Sequence, residues 1–253
     1  MTIARDWNGA AYDRISAPME AMGLAVLDRL ELRGDETVLD AGCGSGRVTA
    51  ALIERLPRGR VIGVDGAPSM VAAARERLGE RPGLQLVAAD LCELDPGLGP
   101  VDAVFSTATF HWISDHERLF RRLRAVLVGG GHLVAQCGGE GNIAVVHAAA
   151  AAAGSAAPFA EHLAGWQGPW RFATPQATQD LLAQAGFSDA RCWLEDWPVT
   201  PPDPATWLRE IILGAHLEQL PPALHEAFVA NVLERLPRPV VVPYVRLNID
   251  AHV

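Results

Sequence analysis

The chain has 253 residues, of which 49% are hydrophobic and 20% charged, a composition that suits one large α/β domain with a sizeable core. Its formal net charge of −9 disfavours a nucleic-acid-binding protein, because such domains are usually basic. The four cysteines form no C-x-x-C pair, so neither a metal site nor a disulfide framework is expected. No signal-peptide core and no apolar run of membrane-spanning length is found, which predicts a cytoplasmic protein that does not act at a membrane.

The first 35 residues are predicted to be helical in part, because apolar residues are interleaved among acids and arginines. Trp7 and Tyr12 precede the predicted helix. Two interpretations of these aromatic residues stay open. They anchor the N-terminus by packing, or they belong to an N-terminal lid, at about residues 1–35, that closes over a ligand.

The stretch from Val38 to Gly46 is the most informative in the chain. An apolar run ends in Asp40, three glycines follow on alternate positions, and apolar residues at helical spacing come next. This pattern predicts a strand, a tight turn and a helix. Glycine takes positive φ and lets a ligand approach the backbone, and a helix N-terminus offers unpaired N–H groups.

The G-x-G-x-G spacing is one residue shorter than the dinucleotide fingerprint, which disfavours a nicotinamide oxidoreductase. An acid at Asp40 suits an ammonium group better than a pyrophosphate, because like charges repel.

Two further predicted strands also end in an acid. Residues 60–65 end in Asp65, and residues 84–90 end in Asp90. The carboxyl ends of parallel strands are where ligands bind, and an acid that closes the second strand usually accepts hydrogen bonds from ribose hydroxyls. The helix that starts near Pro68 presents Met70, which packs either on a bound adenine or only in the core.

The fourth predicted strand, residues 101–106, leads into a loop that we expect to face the reacting group. His111 in this loop is either a general base or a residue that hydrogen-bonds the backbone. Asp115 is the predicted N-cap of the next helix, and Gly129-Gly130-Gly131 is predicted to end it before a fifth strand at residues 132–136.

The alternation of predicted strands and helices changes after the fifth strand. Residues 138–173 contain an alanine tract and two tryptophans, and residues 201–238 contain two helical stretches. Both segments are predicted to be helical insertions above the sheet. Residues 188–197 and 244–251 are predicted to be the last two strands. The tryptophans either line a ligand pocket or form a small core within the insertions.

The chain resembles the class I S-adenosylmethionine (AdoMet) methyltransferases, and more narrowly the trans-aconitate methyltransferase group. The residues that carry the resemblance are Asp6-Trp7-Asn8, Tyr12, Asp40 to Gly46, Asp65, Pro68-Ser69-Met70, Ala89-Asp90, Trp112, Asp115-His116, Leu119-Phe120, Ala185-Gly186, Trp207, Pro243 and Arg246. The resemblance implies an α/β fold in a single methyltransferase domain over residues 1–253. Its sheet is Rossmann-like, seven-stranded and doubly wound in the order 3-2-1-4-5-7-6, with the last strand antiparallel and with helical cap insertions.

The resemblance also implies AdoMet as the cofactor, S-adenosyl-L-homocysteine (AdoHcy) as its product, and a small-molecule acceptor beneath the insertions. The residues expected to bind the cofactor are Asp40, Gly42, Gly44, Gly46, Asp65, Gly66, Met70, Asp90, Leu91 and Thr107. Those expected to bind the acceptor are Trp7, Tyr12, Trp112, Trp166, Trp170, Arg171, Trp207 and Arg246, with His111 as the catalytic candidate.

The predicted reaction is O-methylation of a carboxylate or a hydroxyl. A carboxylate is ionised near neutrality and needs no general base, whereas a hydroxyl benefits from one. Arginines such as Arg171, Arg209 and Arg246 are suited to bind a carboxylate. Family members tend to carry a Leu-Arg-Pro where this chain has residues 214–218, Gly-Ala-His-Leu-Glu, which counts against trans-aconitate itself. A tailoring N- or C-methyltransferase and an AdoMet-binding protein without transferase activity are the alternatives.

Overall fold

The structure is a computed structural model that describes residues 17–253. Trp7, Tyr12 and the first part of the expected lid lie outside the described residues. Seven strands form one sheet in the order β3-β2-β1-β4-β5-β7-β6, which confirms the predicted order. The strands are β1 (Thr37–Ala41), β2 (Arg60–Asp65), β3 (Leu84–Ala88), β4 (Val101–Thr107), β5 (Leu127–Gly138), β6 (Ser188–Val199) and β7 (Val242–His252). Strands β1 to β5 pair in parallel, and β7 is antiparallel to both β5 and β6.

Helices cover both faces of the sheet and one end of it. They are α1 (Ala17–Leu27), α2 (Arg47–Glu54), α3 (Pro68–Leu78), α4 (His116–Val126), α5 (Ala144–Gly154), α6 (Ala160–Leu163), α7 (Pro175–Gln184), α8 (Pro204–Trp207), α9 (Gly214–Leu217) and α10 (His225–Glu234). A π-helical segment, Leu208–Ile212, joins α8 to α9. Within residues 17–253, none of the helices has the length and apolar character that crossing a membrane requires.

Successive residues of the central strands face opposite layers of helix, as the pleat requires. Val38 and Phe105 pack in one core with side chains of α1 and α2. Leu39 and Val104 pack in the other core with side chains of α4 and α7. Because both faces are covered, these strands are almost continuous apolar runs, as expected for a parallel sheet.

The helices of residues 138–173 and 201–238, which we call the cap, share a third core. Val146 from α5, Leu208 and Phe228 from α10 are fully or almost fully buried there. The cap extends past the carboxyl end of β5, so it lies next to the edge of the sheet at which Asp40 and Asp65 end their strands.

The region after α4 differs from the prediction. The Asp115 side chain accepts a hydrogen bond from the Arg118 N–H at 2.9 Å, which confirms the predicted N-cap. The helix ends at Val126, however, and β5 starts at once, so the glycine run lies within the strand. Backbone hydrogen bonds join this run to Val253 (Gly130 N–H to the Val253 carbonyl, Val253 N–H to the Gly131 carbonyl), and the run bulges out of the pairing with β4.

Candidate active site

Asp40 is buried at the end of β1, with 3% of its surface exposed. The Thr49 hydroxyl, from the first turn of α2, donates a hydrogen bond to Asp40 Oδ2 at 2.7 Å. Burial raises the pKa of Asp40 to about 7; the Thr49 hydrogen bond acts against this rise, and the negative charge of Asp65 adds to it. Asp40 is therefore poised between its two protonation states near neutrality, and a nearby cation would favour the ionised state.

Asp65, at the end of β2, connects the glycine-rich loop to the neighbouring strand. Its Oδ2 accepts a hydrogen bond from the Gly44 N–H at 2.9 Å, and its Oδ1 accepts one from the Ala67 N–H at 2.9 Å. Burial raises the pKa of Asp65, and these two backbone hydrogen bonds lower it. An ionised carboxylate has about four lone-pair sites, so Asp65 retains capacity for two hydroxyl donors of a ligand.

Glycine stands at the positions of this loop for different structural reasons. A Cβ on Gly42, where φ is +93°, would lie 2.0 Å from Thr109 Oγ1, so the loop after β4 packs directly on this position. A Cβ on Gly44 would meet no heavy atom within 4 Å. Helix α2 has no side-chain hydrogen bond at its N-terminal cap, Gly46. The loop is therefore open at Gly44, beside the Asp65 carboxylate, which fits a cofactor that carries ribose hydroxyls and an ammonium group.

The other predicted cofactor residues differ in how far they are buried. Gly66 is exposed next to Asp65, whereas Met70 is 6% exposed and Leu91 is 4% exposed. Asp90 is exposed, and its Oδ1 accepts a hydrogen bond from the Cys92 N–H at 2.8 Å. Thr107 is half-buried at the end of β4. The ends of β2 and β3 lie side by side, because the Ala89 N–H donates to the Asp65 carbonyl at 3.0 Å.

His111 lies in a 3-10 turn, Phe110–Trp112, directly after β4. The Gly138 N–H donates a hydrogen bond to His111 Nδ1 at 3.2 Å. Burial, together with the positive charge of Arg246 and the neighbouring His116, lowers the pKa of His111 well below its usual range. The ring is therefore neutral, and since Nδ1 accepts a hydrogen bond, the ring proton is on Nε2. His111 can donate a hydrogen bond from Nε2 but is poorly suited to accept a proton there.

Two arginines lie near His111. Arg246, buried on β7, donates from Nε to Gln136 Oε1 at 3.2 Å. Arg171 donates its backbone N–H to the His111 carbonyl at 2.8 Å and its Nη1 to the Ser114 carbonyl at 2.5 Å. Both arginines therefore lie near His111, whereas Asp40 and Asp65 lie at the ends of β1 and β2.

A series of aromatic rings runs from the sheet edge into the cap. The ring centroids of Trp112 and Trp170 are 5.8 Å apart, and those of Trp170 and Trp166 are also 5.8 Å apart. Trp166 and Trp170 line a cavity of about 190 Å³ in the cap, together with His147 and His216. Trp207 is not part of this series; it packs in the cap core and donates from Nε1 to the Tyr244 hydroxyl at 3.1 Å.

Four residues in or near the site carry no signal in the sequence pattern. Thr49 and Gly138 donate hydrogen bonds to Asp40 and His111, respectively, and only the folded chain creates these contacts. His147 begins an alanine tract, and His216 lies in a stretch that was notable only for its departure from the family pattern. Their meeting in the cap depends on how α5 and α9 pack together.

The profile of a methyltransferase domain family matches residues 38–131, which include the glycine loop and the three strand-ending acids. Among solved structures, the chain is similar to a phosphoethanolamine N-methyltransferase 2 of Haemonchus contortus (TM-score 0.62, 21% identity, 99% of this chain and 58% of that chain). It is also similar to an AdoMet-dependent methyltransferase of Mesorhizobium loti (TM-score 0.53, 22% identity, 91% of this chain and 96% of that chain). The fold is thus the Rossmann-like fold of AdoMet-dependent methyltransferases.

Sequence relatives narrow the class. A trans-aconitate 2-methyltransferase of Methylobacterium radiotolerans is 32% identical over 233 residues, which cover 88% of this chain and 86% of the relative. The relative of the same name from Acidovorax ebreus is 36% identical over 131 residues, 52% of this chain and 49% of the relative. The chain thus spans about half the length of the Acidovorax relative. The chain belongs to the trans-aconitate methyltransferase family, whose cofactor is AdoMet and whose cofactor product is AdoHcy.

Proposed function

We propose that this protein transfers the methyl group of AdoMet to a carboxylate oxygen of a small organic acid. The observation that carries the proposal is the state of His111, whose Nδ1 is used by the Gly138 N–H and whose pKa is held low. A hydroxyl or ammonium acceptor needs a group that removes its proton, and a neutral His111 with its proton on Nε2 does not supply one. A carboxylate has a reference pKa of about 4 and is already a nucleophile at neutral pH.

The residues around His111 suit an anionic acceptor. The Nε2–H of His111 is a hydrogen-bond donor, and the positive charge of Arg246 is close enough to lower the His111 pKa. A carboxylate oxygen held by this donor gains both a hydrogen bond and a favourable electrostatic environment. The names of the relatives support an acid as acceptor, because trans-aconitate is a carboxylic acid.

The cofactor, when bound, supplies an electrophilic methyl group on a sulfonium, and the residues of the chain orient it and the acceptor. Asp65 and the loop at Gly44 are the residues suited to the ribose, and Asp40 is suited to the ammonium group. Orientation of two reactants can lower a barrier by roughly 7–11 kcal/mol.

The experiment is methyl transfer from methyl-labelled AdoMet to a panel of trans-aconitate, aryl carboxylic acids, phenols and amines. We expect label on the acids only, and we expect mild base to release it as methanol, because a methyl ester is hydrolysed by base. Label that survives base would indicate an ether, an N-methyl or a C-methyl product and would contradict the proposal. The absence of transfer to every compound, with AdoMet bound, would favour a binding protein without transferase activity.

A second arm tests the role of His111. In His111→Gln the amide can replace both hydrogen bonds of the ring, so we expect kcat to fall by less than about tenfold, whereas loss of a general base costs about 100- to 10,000-fold. The control is His162→Gln, at an exposed histidine of α6. A fall of more than about 100-fold in His111→Gln alone would assign His111 as a base and would favour a hydroxyl acceptor.

A further inference from the structure

A further group of ionisable side chains lies on the sheet, away from Asp40 and Asp65. It consists of His132 on β5 and of Asp250 and His252 on β7. His132 and His252 are cross-strand partners in the antiparallel pairing of β5 with β7. Side chains of paired residues share a face of the sheet, and so do side chains two residues apart on a strand. All three side chains therefore lie on one face.

The three side chains are in contact. His132 Nε2 and Asp250 Oδ1 are 2.6 Å apart. The rings of His132 and His252 are stacked, with their centroids 4.2 Å apart and an angle of 9° between their planes. When one ligand atom is taken from each residue, all three atoms lie within 4.8 Å of one another. Two imidazoles and one carboxylate are a donor set that suits Zn²⁺ and similar divalent ions.

A small movement brings the three ligand atoms to metal-binding distances. Zn²⁺ binds nitrogen and carboxylate oxygen at about 2.0–2.2 Å, so two ligands of a tetrahedral ion are about 3.3–3.6 Å apart. The contact between His132 and Asp250 must open by about 1 Å, and the widest separation must close by about 1.5 Å at most. Two parallel rings do not both point a nitrogen at one ion, so one ring has to turn. His252 is exposed, and its ring can turn without disturbing the core.

The surroundings of the group allow a cation to enter. The side chains of His132 and Asp250 are 19% and 31% exposed, so solvent reaches both of them. Arg29 is close enough to Asp250 for their charges to interact. Its guanidinium, however, donates hydrogen bonds to the Asn248 side chain and to the Ala135 carbonyl, the latter at 2.9 Å. The Asp250 carboxylate is therefore available to a metal ion that reaches it from solvent.

The group is far from the predicted methyl-transfer site. His132 pairs with Ala103 near the start of β4, and it precedes Gly138, which contacts His111, by six residues of β5. At about 3.3 Å per residue this is about 20 Å along the strand. The sequence carries no spacing motif for the group, because His132 and Asp250 are 118 residues apart in the chain. The absence of a cysteine motif does not bear on it, because none of its three residues is a cysteine.

We propose that His132, Asp250 and His252 bind one divalent transition-metal ion of the kind that prefers imidazole nitrogen, such as Zn²⁺ or Ni²⁺, with water as a further ligand. The ion takes the place of the hydrogen bond between His132 and Asp250. It links the last strand, β7, to β5 and so stabilises the folded chain. The proposal is independent of the proposed methyl transfer.

The test is a calorimetric titration of Zn²⁺, and separately of Ni²⁺, into untagged protein that has been freed of metal with a chelator. Ni²⁺ is included because it suits imidazole, whereas Zn²⁺ also binds thiolates, and Cys92 and Cys192 are only half-buried. We expect one ion of either metal to bind per chain, with both ions competing for the same site.

Variants assign the ion to its ligands. In His252→Ala and in Asp250→Asn the affinity for Ni²⁺ should fall at least tenfold, because loss of an outer-shell partner alone costs about 10- to 100-fold. The matched controls are His162→Ala and Asp180→Asn, at exposed positions of α6 and α7, and they should bind as the native protein does. A native protein that binds neither ion would overturn the proposal, as would a His252→Ala variant with native affinity.

Melting temperatures give a second readout. His252 is exposed, so His252→Ala should melt near the native temperature when no metal is present. Saturating Ni²⁺ should raise the melting temperature of the native protein and not that of His252→Ala, since an ion that binds only the folded state stabilises it. An equal rise in both proteins, or none in the native protein, would contradict the proposal and leave the group as a hydrogen-bonded pair with a stacked ring.

Discussion

The carboxyl edge of the sheet and the cap form their parts of the site in opposite ways. At the sheet edge, backbone groups dominate: the N–H groups of Gly44 and Ala67 hold Asp65, and the loop is open where Gly44 has no side chain. In the cap, side chains dominate, and the rings of Trp170 and His216 line a cavity. Under the proposed function, the cofactor is therefore held largely by backbone geometry, whereas the acceptor is held largely by side chains.

The largest effect is expected at Asp65. Replacement by alanine removes a charged acceptor for two hydroxyls, each worth about 1.5–3 kcal/mol, so AdoHcy affinity should fall by at least about 100-fold. Calorimetric titration measures this, with Asp180→Ala, an exposed acid of α7, as the control. An unchanged affinity in the Asp65 variant would place the cofactor elsewhere.

The next effect is the pH dependence of stability caused by Asp40. Its pKa is raised by burial to about 7, so between about pH 4 and 7 the folded state keeps a proton that the unfolded state releases. The free energy of unfolding contributed by this group therefore decreases as pH rises, by up to about 4 kcal/mol, and the loss is complete above pH 7. Asp40→Asn should not show this decrease. Denaturant melts of both proteins without cofactor at pH 5 and pH 8 measure the difference, and parallel pH curves would refute the assignment.

A pair of glycine substitutions separates packing from ligand contact. Gly42→Ala places a Cβ 2.0 Å from Thr109 Oγ1 at a positive φ, so it should destabilise the fold by about 2–5 kcal/mol. Gly44→Ala should cost only about 1–2 kcal/mol, from its φ of +53°, yet it should weaken AdoHcy binding, because the Cβ lies on the open face. Chemical denaturation and calorimetry give the two quantities, and a Gly44→Ala variant with native affinity would show that the open face is not the cofactor site.

The smallest effect is expected from Trp207→Phe in the cap. This change removes the hydrogen bond to the Tyr244 hydroxyl and should lower stability by about 1–3 kcal/mol, because that buried hydroxyl loses its donor. AdoHcy affinity should stay at the native value if the sheet edge binds the cofactor without help from the cap core. A parallel loss of affinity would indicate that the two regions are coupled.

The sequence was sufficient for the sheet edge because its signals are local. Asp40, Asp65 and Asp90 each follow an apolar run, and parallel strands bring such ends together. The end of α4 was predicted incorrectly, because the glycine run is stabilised as strand by hydrogen bonds to Val253, far away in the chain. His216 could not be predicted either, since its role depends on tertiary packing of the cap and not on any periodic pattern.

The central claim is that the sheet edge binds the cofactor while the cap selects the acceptor. The most direct measurement is a calorimetric titration of AdoHcy into the double variant His147→Phe/His216→Phe. The account predicts a Kd within about twofold of the native value, because neither ring belongs to the glycine loop or to the strand-ending acids. A Kd weakened by about tenfold or more, in a variant that melts at the native temperature, would contradict the separation of the two regions.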